Sequence, residues 1–459
     1  MAGRNIDMKD KKVLVVGMGR SGIAACRALC DAGAVVSAQD SKKEEELDEK
    51  TAVLLNERGI TKYLGKVPED TSGFDMVVLS PGVPPTLGFI EEAKASGAEI
   101  IGELELAYRM GKGNYVAITG TNGKTTTTTL VGEMFKNAGK KTNVVGNIGF
   151  AVVTEAVNAD DDTWMVTEAS SFQLETTADF KPLVSAILNL TEDHMDRHKT
   201  MENYGAAKAK VFANQGPDEY LVINYDDKAC FSLAGNCKAE VIPFSRLEKL
   251  DKGAYVEDGV ITVKTPEGEK VSFCKADELI IPGSHNLENA LAAAAIGYFA
   301  GLDPAVITET LTTFQGVEHR IEFCGELNGV RFVNDSKGTN PDASIKAVQA
   351  IKGGIILIAG GYDKDSGYDE LIEAFEGKVR YMMLLGVTAP KIKAAAERLG
   401  FTDSIICKDM EECVKKGFEL AKPGDTVLLS PACASWDMYD CFEQRGEHFK
   451  KCAKELGAK

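Results

Sequence analysis

Between Tyr115 and Phe135 a short apolar run, a glycine turn and a helical run follow one another, and this stretch constrains the fold more than any other. Tyr115 to Ile118 is apolar and β-branched, the pattern of a buried strand. Gly120-Thr121-Asn122-Gly123 interrupts that pattern, and Lys124-Thr125-Thr126 opens a helix. A strand, a glycine turn and a helix N-terminus form a phosphate cradle. The first helical N–H groups lack intrahelical partners, and the helix dipole favours negative charge beside them. Gly120 and Gly123 permit close backbone approach. Lys124 can reach the β- and γ-phosphates of a nucleotide, and the Thr125 hydroxyl a Mg²⁺ ion. The loop is a shortened variant, because the full pattern has glycine where Ile118 stands.

A chain of 459 residues is long enough for about three domains. Its 44% hydrophobic and 26% charged content is that of a globular protein with large cores. No stretch approaches the ~20 apolar residues of a membrane span. Met1 to Lys12 is polar and lacks the apolar core of a signal peptide. The eleven scattered cysteines contain no C-x-x-C pair, which argues for reduced thiols rather than disulfides or structural zinc. A cytoplasmic location without membrane insertion is expected. A net charge of −17 argues against coating nucleic acid, which requires basic surface. It leaves phosphorylated substrates open, since local backbone dipoles and single lysines hold phosphates on acidic proteins.

Upstream, the strand pattern Lys12 to Val16 leads into Gly17-Met-Gly19-Arg-Ser-Gly22 and a helix to about Ala32. A second strand from Val35 ends at Asp40. This fits a dinucleotide fingerprint with its ribose-binding acid. It suits NAD, but the loop at Lys124 asks for ATP, and the same geometry serves any nucleoside diphosphate, UDP included. Phe74 to Ser80 reads as a further strand, followed by the turn Pro81-Gly82. The charged run Lys42 to Lys50 reads as a solvated helix face.

Downstream of the cradle, Trp164 to Thr167 reads as a strand ending in Glu168, where a carboxylate suits a second Mg²⁺ ligand. His194 and His198 share i, i+4 spacing, but no third zinc ligand follows. His194 is expected to face a metal or phosphate and His198 the surface. Asn286 is a candidate N-cap for an alanine-rich helix from Leu287 to Ala300. Asn289, one turn further, needs another reason to be polar.

From Val330 onward, strands and helices alternate as in a second doubly wound parallel sheet. Polar loops begin at Asp335, Gly360 and Ser430, all expected at the sheet's ligand-binding edge. Cys433 reads as a packed thiol.

Taken together, Gly120 to Thr126, Gly146-Asn-Ile-Gly149, Glu168 to Glu175, His194-Met-Asp-Arg197 and His285-Asn286 resemble the Mur ligases of peptidoglycan synthesis. Asn334-Asp-Ser-Lys337, Ser430 to Ser435 and Phe442-Glu-Gln-Arg-Gly446 resemble those members of the family that add D-glutamate. The resemblance implies an α/β protein of three domains. These are a Rossmann-like UDP-binding domain (1–111), a central P-loop-type ATPase domain (112–315) and a Rossmann-like amino-acid-binding domain (316–459). It implies an ATP-dependent ligase, monomeric, acting on UDP-N-acetylmuramoyl-L-alanine and D-glutamate through an acyl phosphate.

Site residues follow by the same resemblance. Lys124 would bind phosphates within the loop Gly120, Thr121, Asn122, Gly123, Thr125 and Thr126. Thr125 and Glu168 would hold one Mg²⁺, and His194 with a carbamylated Lys208 a second. Asn286, Asn289, Arg320 and Asp335 would meet the rest of ATP. Ser21, Asp40, Ser41, Ser80, Gly82 and Asn147 would bind the UDP-sugar. Lys337, Thr339, Lys364, Ser435 and Phe442 would shape the D-glutamate pocket.

Overall fold

A computed structural model describes residues 6–281, 283–363 and 366–459. Lys364 therefore lies outside the described residues. The chain divides into two compact units, one of Met1–Ile280 with Ser284–Phe314 and one of Gln315–Lys459 with Ile281–Gly283.

The first unit contains two sheets. Strands β1 (Lys12–Val16), β2 (Val35–Asp40), β3 (Thr61–Leu64), β4 (Met76–Leu79) and β5 (Glu99–Gly102) form a parallel sheet in the order 3-2-1-4-5. The order reverses between β1 and β4, and a crevice at such a switch point is where these sheets bind ligands. The second sheet has nine strands in the order 14-13-12-11-10-9-6-8-7. Its strands are β6 (Asn114–Thr119), β7 (Thr142–Gly146), β8 (Trp164–Glu168), β9 (Val184–Ile187), β10 (Tyr220–Asn224) and β11 (Glu240–Ser245). They continue with β12 (Gly253–Glu257), β13 (Val260–Lys264) and β14 (Lys270–Lys275). The strands from β6 to β12 pair in parallel, and β13 and β14 add an antiparallel edge.

The helix after β6, Lys124–Asn137, carries five consecutive threonines. β-Branched residues are poor helix formers, so local preference does not explain it. Packing does. Thr125 to Thr128, Leu130, Val131, Met134 and Phe135 are buried, and the helix packs on the alanine-rich helix Ser284–Phe299. Glu105 ties the two sheets together from the helix Glu103–Met110. Its carboxylate accepts the backbone N–H groups of Ala178, Asp179 and Phe180 and the Nε–H of Arg109.

The second unit is a six-stranded sheet in the order 15-16-20-17-18-19. It comprises β15 (Glu322–Leu327), β16 (Val330–Asn334), β17 (Ile355–Ala359), β18 (Val379–Leu384), β19 (Ser404–Ile406) and β20 (Thr426–Leu429). The sheet is parallel except for β15, an antiparallel edge strand that the sequence pattern does not announce. Its Glu-Phe-Cys-Gly-Glu-Leu run has neither a long apolar stretch nor clean alternation.

Three local expectations are corrected. Lys42 to Lys50 is not one helix face: a 3₁₀ turn at Glu44–Glu46 precedes the helix Glu49–Glu57, although the run is largely exposed as expected. Asn286 is not a cap but lies inside the helix Ser284–Phe299, where its amide is buried against Asn289. His198 is not at the surface; it is 5% exposed and its Nε2 lies 2.9 Å from Ser171 Oγ. Among the described residues no helix is long and apolar enough to cross a membrane.

Candidate active site

The cradle leaves β6 between its neighbours β8 and β9. Gly120 has φ 147° and Gly123 φ 82°, a left-handed region that favours glycine. Space imposes the same choice at Gly123, where an added Cβ would sit 2.3 Å from Asn289 Oδ1. That oxygen also accepts from Thr127 Oγ1 at 3.2 Å, which explains the polar residue inside an apolar helix. Asn189 braces the other side of the loop. Its Oδ1 accepts the Asn122 N–H at 2.7 Å and its Nδ2 donates to the Asn122 carbonyl at 3.1 Å.

Two lysine amines converge on this loop. Lys124 Nζ donates to the carbonyls of Gly120 and Thr121 at 2.9 and 2.7 Å. Lys208 Nζ donates to the same Gly120 carbonyl at 2.7 Å and lies 4.4 Å from the centre of the Tyr204 ring. Lys208 is 1% exposed. Burial, and then the nearby charge of Lys124, hold its amine well below the ordinary lysine range. Tyr204 lies within 3.4 Å of Thr121 Oγ1 through its hydroxyl. His194 flanks the same ring at 6.5 Å between centroids, with a left-handed φ of 55°. Such a conformation in a non-glycine residue persists where the surroundings hold it, often at functional sites. His194 and His198 do not form a zinc pair: the first is half exposed beside Asp193, while the second is buried against Ser171 and Phe172.

Glu168 ends β8 level with Ile118 of β6. It is 1% exposed, and its Oε1 accepts from Asn147 Nδ2 at 2.8 Å. Its Oε2 is buried with no hydrogen-bond partner. A buried carboxylate oxygen without a donor is costly, and a hard cation would satisfy it. With the Thr125 hydroxyl on the first turn of the adjoining helix, the donor set fits Mg²⁺.

At the carboxyl edge of the first sheet, the expected UDP residues other than Asn147 gather around the β1–β4 switch point. Ser21 lies in the first turn of the helix Arg20–Asp31, Asp40 ends β2 and Ser41 follows it, and Ser80 and Gly82 follow β4. Asp40 braces this turn by accepting the N–H groups of Met18 and Lys42 at 2.6 and 2.9 Å. Ser80 Oγ donates to the Gly17 carbonyl at 2.8 Å.

In the second unit, the loops after β16 and β20 meet. Asp335 is buried, accepts from Ser430 Oγ at 2.7 Å, and has its carboxyl pushed up to about 6 by burial. The charge of Arg320 opposes that rise. Lys337 Nζ lies 5.6 Å from the centre of the Phe442 ring, and the Thr339 N–H donates to the Lys337 carbonyl. Ser435 is buried in the loop after β20. Cys433 is a packed thiol as expected, 2% exposed beside Tyr368 and Thr388.

Sequence reasoning misses the group that joins these loops. Arg445 is 1% exposed and donates to Ser336 Oγ and to the carbonyls of Ser336, Cys433 and Ala434. An arginine three residues after Phe442 carries no local sign of burial; only Gly446 beside it hints at close packing. That glycine abuts His319, whose Nδ1 would lie 2.3 Å from an added Cβ.

Comparisons with known proteins agree along the chain. The family model described as Mur ligase MurD-like, N-terminal domain matches residues 11–102. Mur ligase middle domain matches 118–297, and Mur ligase, glutamate ligase domain matches 319–433. A protein of Alkaliphilus oremlandii named UDP-N-acetylmuramoylalanine--D-glutamate ligase is 53% identical, with 98% of this chain and 100% of that one covered. A protein of the same name from Clostridioides difficile is 50% identical over the same shares. Among solved structures, the UDP-N-acetylmuramate-alanine ligase of Thermotoga maritima has a similar fold, with TM-score 0.58 at 19% identity over 97% of this chain and 99% of that one. A pseudomurein peptide ligase of Methanothermus fervidus gives TM-score 0.56 at 20% identity, covering 97% and 100%. With its three sheets in the matching order and a lysine-bearing cradle at the middle one, the chain belongs to the Mur ligase family.

Proposed function

We propose that this chain joins D-glutamate to the L-alanyl carboxyl of UDP-N-acetylmuramoyl-L-alanine, with ATP converted to ADP and phosphate. The observation that carries the reading is the pair of lysines, Lys124 and Lys208, on the Gly120 carbonyl, with the unsatisfied Glu168 Oε2 at the end of the adjoining strand. The D-glutamate specificity is supported by the full-length relatives of that name.

A carboxylate is a poor electrophile, so its oxygen must first become a leaving group. The L-alanyl carboxylate attacks the γ-phosphorus of ATP, the bond to the β–γ bridging oxygen breaks, and ADP leaves. The D-glutamate amine attacks the resulting acyl phosphate, and phosphate departs from the tetrahedral intermediate. Lys124 and the first-turn N–H groups hold the triphosphate and offset charge on the transferred group. Mur ligases use Mg²⁺, which would sit at Thr125 and Glu168 and supply charge neutralisation of the phosphates.

We assign a second metal position to His194 and a carbamylated Lys208. Burial favours the neutral Lys208 amine, whose lone pair attacks CO₂; a proton is lost from nitrogen and the neutral amine becomes a carbamate anion. Asn147 would hold the reacting end of the nucleotide-sugar. Its diphosphate would lie at the Ser21, Asp40, Ser41, Ser80 and Gly82 edge. Asn286, Asn289, Arg320 and Asp335 would contact ATP. Lys337, Thr339, Lys364, Ser435 and Phe442 would select the amino acid, the lysines matching its two carboxylates. The domain limits 1–111, 112–315 and 316–459 and a monomeric, cytoplasmic enzyme belong to the same reading.

The test is to incubate the protein with Mg-ATP, UDP-N-acetylmuramoyl-L-alanine and a panel of amino acids, measuring phosphate and product. Product with D-glutamate alone is expected. Product only with another amino acid would overturn the specificity, and no phosphate release would overturn the ligase reading.

A further inference from the structure

We propose that Arg20 is a positioning residue that couples the nucleotide-sugar turn to the metal-binding carboxylate Glu168, by clamping the loop that carries Asn147. This rests on the function proposed above.

Arg20 opens the helix Arg20–Asp31, with no acidic residue in the first turn. A cation there opposes the helix dipole, so its presence needs another reason. The contacts supply one. Arg20 Nη1 donates to the Gly149 carbonyl at 2.7 Å and Nη2 to the Gly146 carbonyl at 3.2 Å. These carbonyls bound the turn that follows β7.

That turn has little freedom. Gly146 and Gly149 have φ of 107° and 67°, and added Cβ atoms would lie 2.3 Å from the Glu168 carbonyl and 2.4 Å from the Val144 carbonyl. Asn147, held between them, donates its backbone N–H to the Glu168 carbonyl at 2.9 Å and its side-chain Nδ2 to Glu168 Oε1 at 2.8 Å. Engaging one carboxylate oxygen leaves the other, Oε2, for a cation. A contiguous path therefore runs from the glycine turn of the first sheet to the candidate metal ligand.

The guanidinium charge also acts on a buried carboxyl. Glu103 accepts the Val153 N–H through Oε1, its Oε2 has no partner, and the Arg20 charge stabilises its ionised form. A diphosphate arriving at the N-terminus of the Arg20 helix would meet the same guanidinium. A planar fork can serve two carbonyls and an anion together, whereas an ammonium cannot reproduce that geometry.

The experiment is calorimetric titration of the full chain with Mg²⁺ and a non-hydrolysable ATP analogue, with and without saturating UDP-N-acetylmuramoyl-L-alanine. The wild-type protein, Arg20→Met and Arg20→Lys are compared. Coupling between two sites is reciprocal, and about 5-fold or more is expected in the wild type. In Arg20→Met the factor should fall to about 1, while Mg-nucleotide affinity without the sugar stays within about 2-fold; Arg20→Lys should restore only part. A wild-type factor of 1, or an undiminished factor in Arg20→Met, overturns the proposal. So does an equal loss of Mg-nucleotide affinity with and without the sugar, the mark of a merely structural staple. If the wild type binds neither ligand, the proposed function itself falls, a result distinct from any loss confined to the variants.

Discussion

Two glycine turns in the first unit, after β1 and after β6, use one backbone device for different chemistry. Around the Gly17 turn, the Asp40 carboxylate accepts backbone N–H groups and Ser80 accommodates the Gly17 carbonyl. Around the Gly120 turn, neutral amides of Asn189 and Asn289 brace the backbone, two lysines share one carbonyl, and a carboxylate oxygen stays unpartnered. Holding a diphosphate needs little beyond oriented N–H groups. Transferring a phosphoryl group also needs charge placed where charge develops. The Gly120 turn, with two lysines on its carbonyls and an unpartnered carboxylate oxygen at the end of the adjoining strand, carries the ionic groups that the proposed transfer needs.

The sharpest way to break this contrast is Lys124→Ala. Turnover should fall by about 10³-fold or more, with nucleotide-sugar affinity unchanged within about 2-fold. Product formation at the wild-type rate would remove the distinction between the turns.

Lys208→Ala should lose about 10²-fold or more in kcat and regain part of it with added small carboxylates. Full activity in the plain variant would refute an anionic role for this side chain.

Stability then separates the glycines of the first turn. An added Cβ at Gly22 would lie 1.8 Å from the Gly17 carbonyl, whereas Gly19 has open space and a φ of −78°. Gly22→Ala should cost about 3 kcal/mol or more in denaturant unfolding. Gly19→Ala should stay within about 0.5 kcal/mol. Equal costs would mean that the turn is not held as described.

Glu103 is another carboxyl with a buried, unpartnered oxygen. Burial raises its pKa from 4.5 to about 7, so between those values the folded chain holds a proton the unfolded chain releases. Stability contributed by this group therefore falls as pH rises through that window. Glu103→Gln should be more stable than wild type at pH 8, by about 1–3 kcal/mol, with the difference vanishing near pH 4. A pH-independent difference would show that the carboxyl does not titrate as stated.

The strands and helices that were legible in the sequence were those with a single period and a clear stop. Lys12 to Val16 and Trp164 to Glu168 coincide with β1 and β8 because short apolar runs ended by a glycine turn or a carboxylate leave little choice. β15 was not legible, because an edge strand needs only one covered side and its residues alternate imperfectly. Nor was the burial of His198, since i, i+4 spacing says which residues share a helical face but not whether that face meets Phe172 or water. Candidate site residues were recognised where a motif surrounds them. Arg445 and Arg20 work through backbone carbonyls of distant segments, and carbonyls leave no trace in a sequence.

By itself, the sequence determined that a strand would feed a glycine turn and a helix start at Lys124, because φ preferences and unpaired N–H groups are local properties. Tertiary structure alone decided that Lys208, eighty-eight residues from Gly120, would share its carbonyl with Lys124, and that Glu168 would keep one oxygen free. Desolvation and electrostatic coupling depend on what surrounds a group in space, and that is established only when the sheets have closed over it.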